Sequence, residues 1–211
     1  MSSEAVESYL EQLYPADPAV ERIKESIRAH GIRDISVPEG YGRLLTMLAR
    51  LAHAKDALEI GALGGYSGYC ILRGLEPGGR LVSLELRQEY ADLAKRNLAE
   101  AGFGEQVEYR VGEALHSLAV LEREGARYDL FFIDADKENY PAYLEYAIRL
   151  ARPGAIIAGD NLMLRGRTLN PDKQGPSVQA MRAFNAAIAQ DERLISALLP
   201  AYDGLALAIV K

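Results

Sequence analysis

The apolar positions change period along the chain, and the change divides it in two. Over the first fifty or so residues they recur at helical spacing. Ala5, Val6, Tyr9, Leu10, Leu13 and Tyr14 stripe one helix, which Tyr14-Pro15-Ala16-Asp17-Pro18 interrupts. Asp17 is placed to cap a second helix with Pro18 at its first position, and Gly31 to stop it. Tyr41, Leu44, Leu45, Leu48, Ala49 and Ala52 stripe a third. From Asp56 onward, strand-length apolar runs alternate with helical ones. Strands are predicted over 57–60, 80–85, 107–111, 128–133 and 155–158, with helices over 66–75, 88–101, 113–124 and 140–150. This rhythm with short connections argues a doubly wound parallel sheet with right-handed crossovers. The end differs: after a helix over 177–190, two runs at 194–199 and 205–210 are joined by a turn at Tyr202-Asp203-Gly204. So short a connection forces an antiparallel hairpin. No linker or repeat interrupts the chain, so one domain is expected over 1–211, with a helical cap (1–54) and an α/β core (55–211).

Composition narrows the class. The 211 residues suffice for one well-buried domain. A net charge of −6 supplies no electrostatic footprint for nucleic acid or acidic membranes. Cys70 is the lone cysteine, which forbids an internal disulfide and fits a reducing compartment; its apolar surroundings suit a packing role. The N-terminal stretch carries Glu4, Glu7 and Glu11 and lacks the basic start and apolar block of a signal peptide. No run has the length of a membrane span, so the expected location is the cytoplasm. His30, His53 and His116 have no ligand spacing and are expected at packing or surface positions.

The candidate chemistry sits where two apolar runs end in oxygen-bearing side chains, Phe132-Ile133-Asp134-Ala135-Asp136-Lys137 and Ala158-Gly159-Asp160-Asn161. Such endings mark the carboxyl edge of buried parallel strands, where open α/β sheets bind ligands. Asp134, Asp160 and Asn161 are three hard oxygen donors suited to magnesium or calcium. The plainer alternative makes Asp134 or Asp136 a helix N-cap and Asp160-Asn161 an ordinary turn. Lys137, at a helix start and near a bound ion, would be a better base than a solvated surface lysine. Upstream, Glu59-Ile60-Gly61-Ala62-Leu63-Gly64-Gly65-Tyr66-Ser67-Gly68 is a glycine-rich strand-to-helix turn without the G-x-G-x-x-G spacing. An acid two residues before Gly61 would repel phosphate and suits a cationic, hydroxyl- or amine-bearing ligand. Glu85 ends the next strand, where a carboxylate typically grips a ribose. Residues 162–176 form a long aperiodic connection, expected to be a substrate lid, with Arg165, Arg167 and Lys173 available to an acidic substrate.

Together these segments resemble the cation-dependent, S-adenosylmethionine-dependent O-methyltransferases of the catechol and caffeoyl-CoA type, in particular the small bacterial members. The resemblance rests on Leu58-Glu59-Ile60-Gly61 with Gly65-Tyr66-Ser67, on Ile133-Asp134-Ala135-Asp136-Lys137 with Tyr140, and on Gly159-Asp160-Asn161, in that order. It extends from Val37 to Asp203-Gly204-Leu205 and implies a Rossmann-like, seven-stranded methyltransferase domain. It implies that Glu59, Gly61, Tyr66 and Ser67 surround the methionine part of S-adenosylmethionine and that Glu85 binds its ribose. Gly112, Glu113 and Ala114 match the segment against the adenine, and Val37 matches a contact to the amino-acid end. Asp134 is expected beside both cofactor and metal, with Asp160 and Asn161 completing the metal ligands and Lys137 as general base. The implied cation is magnesium, with calcium or manganese as alternatives. The implied reaction methylates one hydroxyl of a catechol-like aromatic diol, and the implied assembly is a homodimer. Some bacterial relatives instead methylate a hydroxylated uridine in transfer RNA. From another class, an NAD-type dinucleotide-binding oxidoreductase is opposed by the missing glycine fingerprint and by the terminal hairpin, and a non-catalytic cofactor-binding protein by the intact Asp134, Lys137, Asp160 and Asn161.

Overall fold

The computed structural model describes residues 3–211, with side chains from Ala5 onward, so the Glu4 of the N-terminal expectation lies outside the described side chains. Three helices come first, α1 (Ser3–Gln12), α2 (Pro18–Ala29) and α3 (Glu39–Leu51). The alternating part follows as β1 (Asp56–Ile60), α4 (Tyr66–Gly74), β2 (Arg80–Glu85), α5 (Gln88–Glu100), β3 (Val107–Val111), α6 (Ala114–Arg123), β4 (Tyr128–Ile133), α7 (Tyr140–Leu150) and β5 (Ala151–Asp160). It closes with α8 (Pro176–Gln190), β6 (Leu194–Leu199) and β7 (Leu205–Val210). All seven strands form one sheet in the order β3-β2-β1-β4-β5-β7-β6. The first five are parallel, and β7 runs antiparallel to both β5 and β6.

Strand alternation explains the layers. Phe131 packs into the core beneath α6, α7 and α8, with Leu118, Tyr143 and Phe184. Its neighbours Leu130 and Phe132 point to the other face, where Ile23 and Ile27 of α2, Leu45 of α3, Ile71 of α4 and Leu98 of α5 close the second core. The predicted hairpin is present, but its later strand takes the inner place. β7 buries Leu205, Ala206, Ala208 and Val210, whereas β6 exposes Ile195 and Leu198, so β6 is left at the edge. Strand β5 is longer than the predicted 155–158. Ala151 pairs with Tyr128 before the register shifts, and Arg152-Pro153-Gly154 forms the irregularity between.

Asp17 caps α2 as expected, accepting from the Ala19 N–H at 3.0 Å, and Gly31 follows the helix end with φ +68°. The stripe on α1 behaves differently. Val6, Tyr9, Leu10, Leu13 and Tyr14 are all exposed within the chain. Polar contacts hold the helix instead: Glu7 accepts from the Tyr202 N–H (2.8 Å), and Glu11 from the Gly40 N–H (3.1 Å) and the Tyr202 hydroxyl (2.6 Å). Cys70 is buried, and among the described residues no helix is long and apolar enough to cross a membrane.

The sheet reverses its winding between β1 and β4. From β1 the chain winds outward to β2 and β3, and from β4 outward the other way to β5. The carboxyl ends of β1 and β4 therefore splay their following loops apart, which opens a crevice at the sheet edge.

Candidate active site

The crevice begins at a weld between strand ends. The Asp134 N–H donates to the Ile60 carbonyl (3.0 Å) and the Gly61 N–H to the Leu84 carbonyl (2.9 Å). Gly61 sits at φ +101°, and a Cβ on it would lie 2.2 Å from the Asp134 carbonyl oxygen. Only glycine allows this approach. Above the weld is a cleft of about 910 Å³, large enough for a nucleoside-sized cofactor beside a small aromatic. Its walls come from the β1–α4 turn, the ends of β2 to β5, residues 33–38 and the β6–β7 turn.

Val37, Gly61, Tyr66, Ser67, Glu85, Gly112, Glu113, Ala114, Asp134, Lys137, Asp160 and Asn161 all line this cleft, so the sheet gathers twelve of the predicted positions. Glu59 is the exception and requires a correction. Leu58 and Ile60 face one core, which turns Glu59 to the opposite face, beneath the first turn of α4. It is 1% exposed, and its two oxygens accept from Ser67 Oγ (2.5 Å) and Ser83 Oγ (2.6 Å). Burial pushes its carboxyl up to about 7, against the pull of those two hydroxyls. Glu59 thus steadies Ser67, which does reach the cleft, and is not itself part of the wall.

Glu85 lines the cleft but is already engaged. It accepts from the N–H groups of Ala62 (3.1 Å), Leu63 (3.0 Å) and Arg87 (3.0 Å), holding the glycine turn in place. A carboxylate offers about four lone-pair positions, so capacity for one further donor remains. Nearby, Leu86 is 65% exposed, an apolar surface at the edge of the cleft suited to a flat ring. Ser36 Oγ on the 33–38 strap is buried without a partner among the described residues, which suits a polar ligand atom.

At the other strand ends Asp136 occupies the N-cap position of the short helical turn Lys137–Asn139 but makes no side-chain cap bond to it. Asp134 Oδ1 accepts from Lys137 Nζ (2.8 Å), while Asp136 accepts from the Tyr143 hydroxyl (2.5 Å) and Asn139 Nδ2 (2.6 Å). Lys137 is not solvated freely, since Nζ also donates to the Tyr140 hydroxyl at 2.6 Å. Tyr140 is fully buried, and its hydroxyl lies within donating distance of the carbonyls of Ile133 (3.1 Å) and Asp160 (3.0 Å). It therefore fastens the ends of β4 and β5 together and positions the lysine. Tyr140 belonged to a motif in the sequence but carried no role there; its three-residue spacing from Lys137 at a helix start was the available signal. Asp160 is 2% exposed and accepts from the Asn161 N–H at 2.8 Å. Burial, then the Asp134 charge, pushes its carboxyl well up. Asn161 adopts φ +67°, a conformation asparagine tolerates better than most residues.

Among the described residues no group of three or more His, Cys, Asp or Glu side chains is gathered for an ion. The candidate set here is two carboxylates and an amide. Its chemistry fits a hard divalent cation: the Asp160 carboxyl is held up by burial and then by the Asp134 charge, and a cation would offset both with oxygen ligands alone. Residues 33–36, Leu86, Tyr202 and Asp203 also line the cleft and were not anticipated, because they sit in irregular segments without periodicity.

An O-methyltransferase family model matches residues 11–211. The chain is 39% identical to a catechol O-methyltransferase of Niastella koreensis, over 99% of this chain and 97% of that one. It is 38% identical to a catechol O-methyltransferase of Mycobacterium tuberculosis, over 98% and 95%. Among solved structures, an O-methyltransferase from Bacillus cereus in complex with S-adenosylhomocysteine superposes with a TM-score of 0.92 at 39% identity, covering 98% of this chain and 97% of that one. One from Streptomyces achromogenes involved in tomaymycin synthesis, in complex with S-adenosylmethionine, gives 0.91 at 37% identity, covering 100% and 99%.

Proposed function

The chain belongs to the O-methyltransferase family, and we propose that it methylates one hydroxyl of a catechol-like aromatic from S-adenosylmethionine, with a divalent cation beside the acceptor. The observation that carries this reading is the meeting of Asp134, Asp160, Asn161 and Lys137 at one cleft whose remaining walls suit a nucleoside. Family membership sets aside the dinucleotide oxidoreductase.

On this reading Gly61, Tyr66, Ser67 and Val37 surround the amino-acid end of the cofactor, and Glu85 offers its remaining acceptor position to a ribose hydroxyl. Gly112, Glu113, Ala114 and the exposed Leu86 border the adenine. S-adenosylmethionine, when bound, supplies an electrophilic methyl group and leaves as a neutral thioether. Asp134, Asp160 and Asn161 would hold a divalent ion, which would supply Lewis acidity toward an acceptor hydroxyl. Lys137 Nζ, fixed between Asp134 and Tyr140, is placed to take the proton that this hydroxyl loses once its ammonium, which donates to both, has released a proton of its own to solvent. Two adjacent hydroxyls match the oxygen-rich end of the cleft better than one. Holding acceptor oxygen and methyl in line contributes on the order of 7–11 kcal/mol through orientation. The described part of the N-terminal region, residues 3–54, acts as a cap on the core. The exposed α1 stripe supports a homodimer, which sedimentation of the purified protein tests.

The deciding experiment is methyl transfer to catechols, caffeoyl esters, flavonoids and hydroxyuridine-bearing RNA, with and without magnesium. Turnover of diols that chelator abolishes and magnesium restores is expected. Full turnover in metal-stripped buffer would remove the ion, and methylation of RNA alone would replace the acceptor.

A further inference from the structure

Resting on that reading, we propose that Arg165 and Arg167 make the site selective for diols whose ring carries an anionic substituent, a carboxylate. The segment bearing them begins directly after Asn161. It is pinned: the Arg165 N–H donates to Asp203 Oδ1 (2.6 Å), the Met163 N–H to the Asp203 carbonyl (2.8 Å), and Asn185 Nδ2 to the Leu162 carbonyl (3.1 Å). Leu162 and Leu164 are buried beneath it. Leu164 and Arg165 both take positive φ, +47° and +55°, which costs free energy in residues other than glycine. Such a conformation persists only where surrounding contacts over-determine it, and these do.

The side chains that this backbone presents are, with Arg33, the arginines that line the cleft. Arg73, Arg110, Arg149, Arg152 and Arg193 are each paired with a carboxylate. Arg165 and Arg167 have no acidic partner among the described residues, yet both line the cleft. Arg167 Nε donates to the Leu164 carbonyl (3.0 Å), which orients the guanidinium and leaves its terminal N–H groups unused. The same end of the cleft carries Asp134, Asp160 and Asp203. A carboxylated acceptor entering there meets repulsion unless cations at the rim offset it, and the planar guanidinium fork matches a carboxylate.

The test compares kcat/KM for protocatechuate, caffeate, a methylcatechol and dopamine in the full-length protein. Caffeoyl-CoA, whose charge is carried by phosphates, separates a carboxylate preference from a general anion preference. The wild type should favour the carboxylates over the neutral diol by about tenfold or more, and a joint R165A/R167A change should reduce that ratio about tenfold, mainly through KM. Arg165→Glu should shift preference toward dopamine, and Arg165→Lys should retain part of the original ratio. Calorimetric binding of S-adenosylhomocysteine checks that each variant is folded. A ratio near one in the wild type, or one unmoved by the double change, overturns the proposal. If no diol is turned over with magnesium present, the proposed reaction fails by itself; weaker protocatechuate binding by the double variant would still support the arginine role, and equal binding would remove it.

Discussion

Glu59→Gln isolates the buried acid beneath the cofactor turn. The folded protein holds this carboxyl near 7, against 4.5 in an ordinary setting, because burial outweighs the two serine hydroxyls that favour the anion. Below pH 4.5 folded and unfolded chains both carry the proton. Between there and about 7 the unfolded chain releases it while the folded one keeps it, so stability falls as pH rises, by about 1.4 kcal/mol per pH unit. Above about 7 both states are ionised and the loss is complete, at about 3 kcal/mol. Glutamine matches the shape and stays neutral. Its oxygen accepts from one serine and its amide donates to the other, whose hydroxyl can rotate. Urea unfolding of both proteins without ligand, from pH 5 to pH 8, gives the difference directly. Asp160 titrates in both proteins and cancels in that difference. The variant should gain on the wild type steadily up to about pH 7, by about 2–3 kcal/mol in total, and then level off. Parallel stability curves, within about 0.5 kcal/mol over the whole range, would refute the account of Glu59 as an acid held neutral by burial.

Three further outcomes are expected. Tyr140→Phe leaves the Ile133 and Asp160 carbonyls and Lys137 Nζ without their shared partner; about 1–3 kcal/mol of stability should be lost, and kcat should fall more than KM rises, as thermal melts and steady-state kinetics will report. Asp160→Ala should lower turnover by about a hundredfold or more while S-adenosylhomocysteine still binds within a few-fold by calorimetry, and unchanged turnover would exclude it as a ligand. Gly61→Ala drives a methyl onto the Asp134 carbonyl at a left-handed backbone position, so a melting temperature lowered by about 6 °C or more is expected, and an unaltered melt would contradict the close strand approach.

Period and hydropathy, read along the chain, were enough for all seven strands, the helices between them, the Asp17 cap and the strand ends that carry Asp134, Asp160 and Asn161. These are local properties: a strand buried on both faces needs a continuous apolar run, and the run's end marks the ligand edge. Tertiary structure decided what local patterns do not encode. Alternation along β1 turned Glu59 under α4, away from the cleft, although its place in the turn suggested a wall residue. The α1 stripe has helical spacing, yet only packing determines whether such a stripe is covered, and in this chain it is exposed. Tyr140 gained its role from two carbonyls on different strands, and Asp203 gained its role from a loop nearly forty residues away. A one-dimensional pattern specifies which face a side chain takes; what stands opposite that face depends on how distant segments pack, and it is set only when the sheet closes.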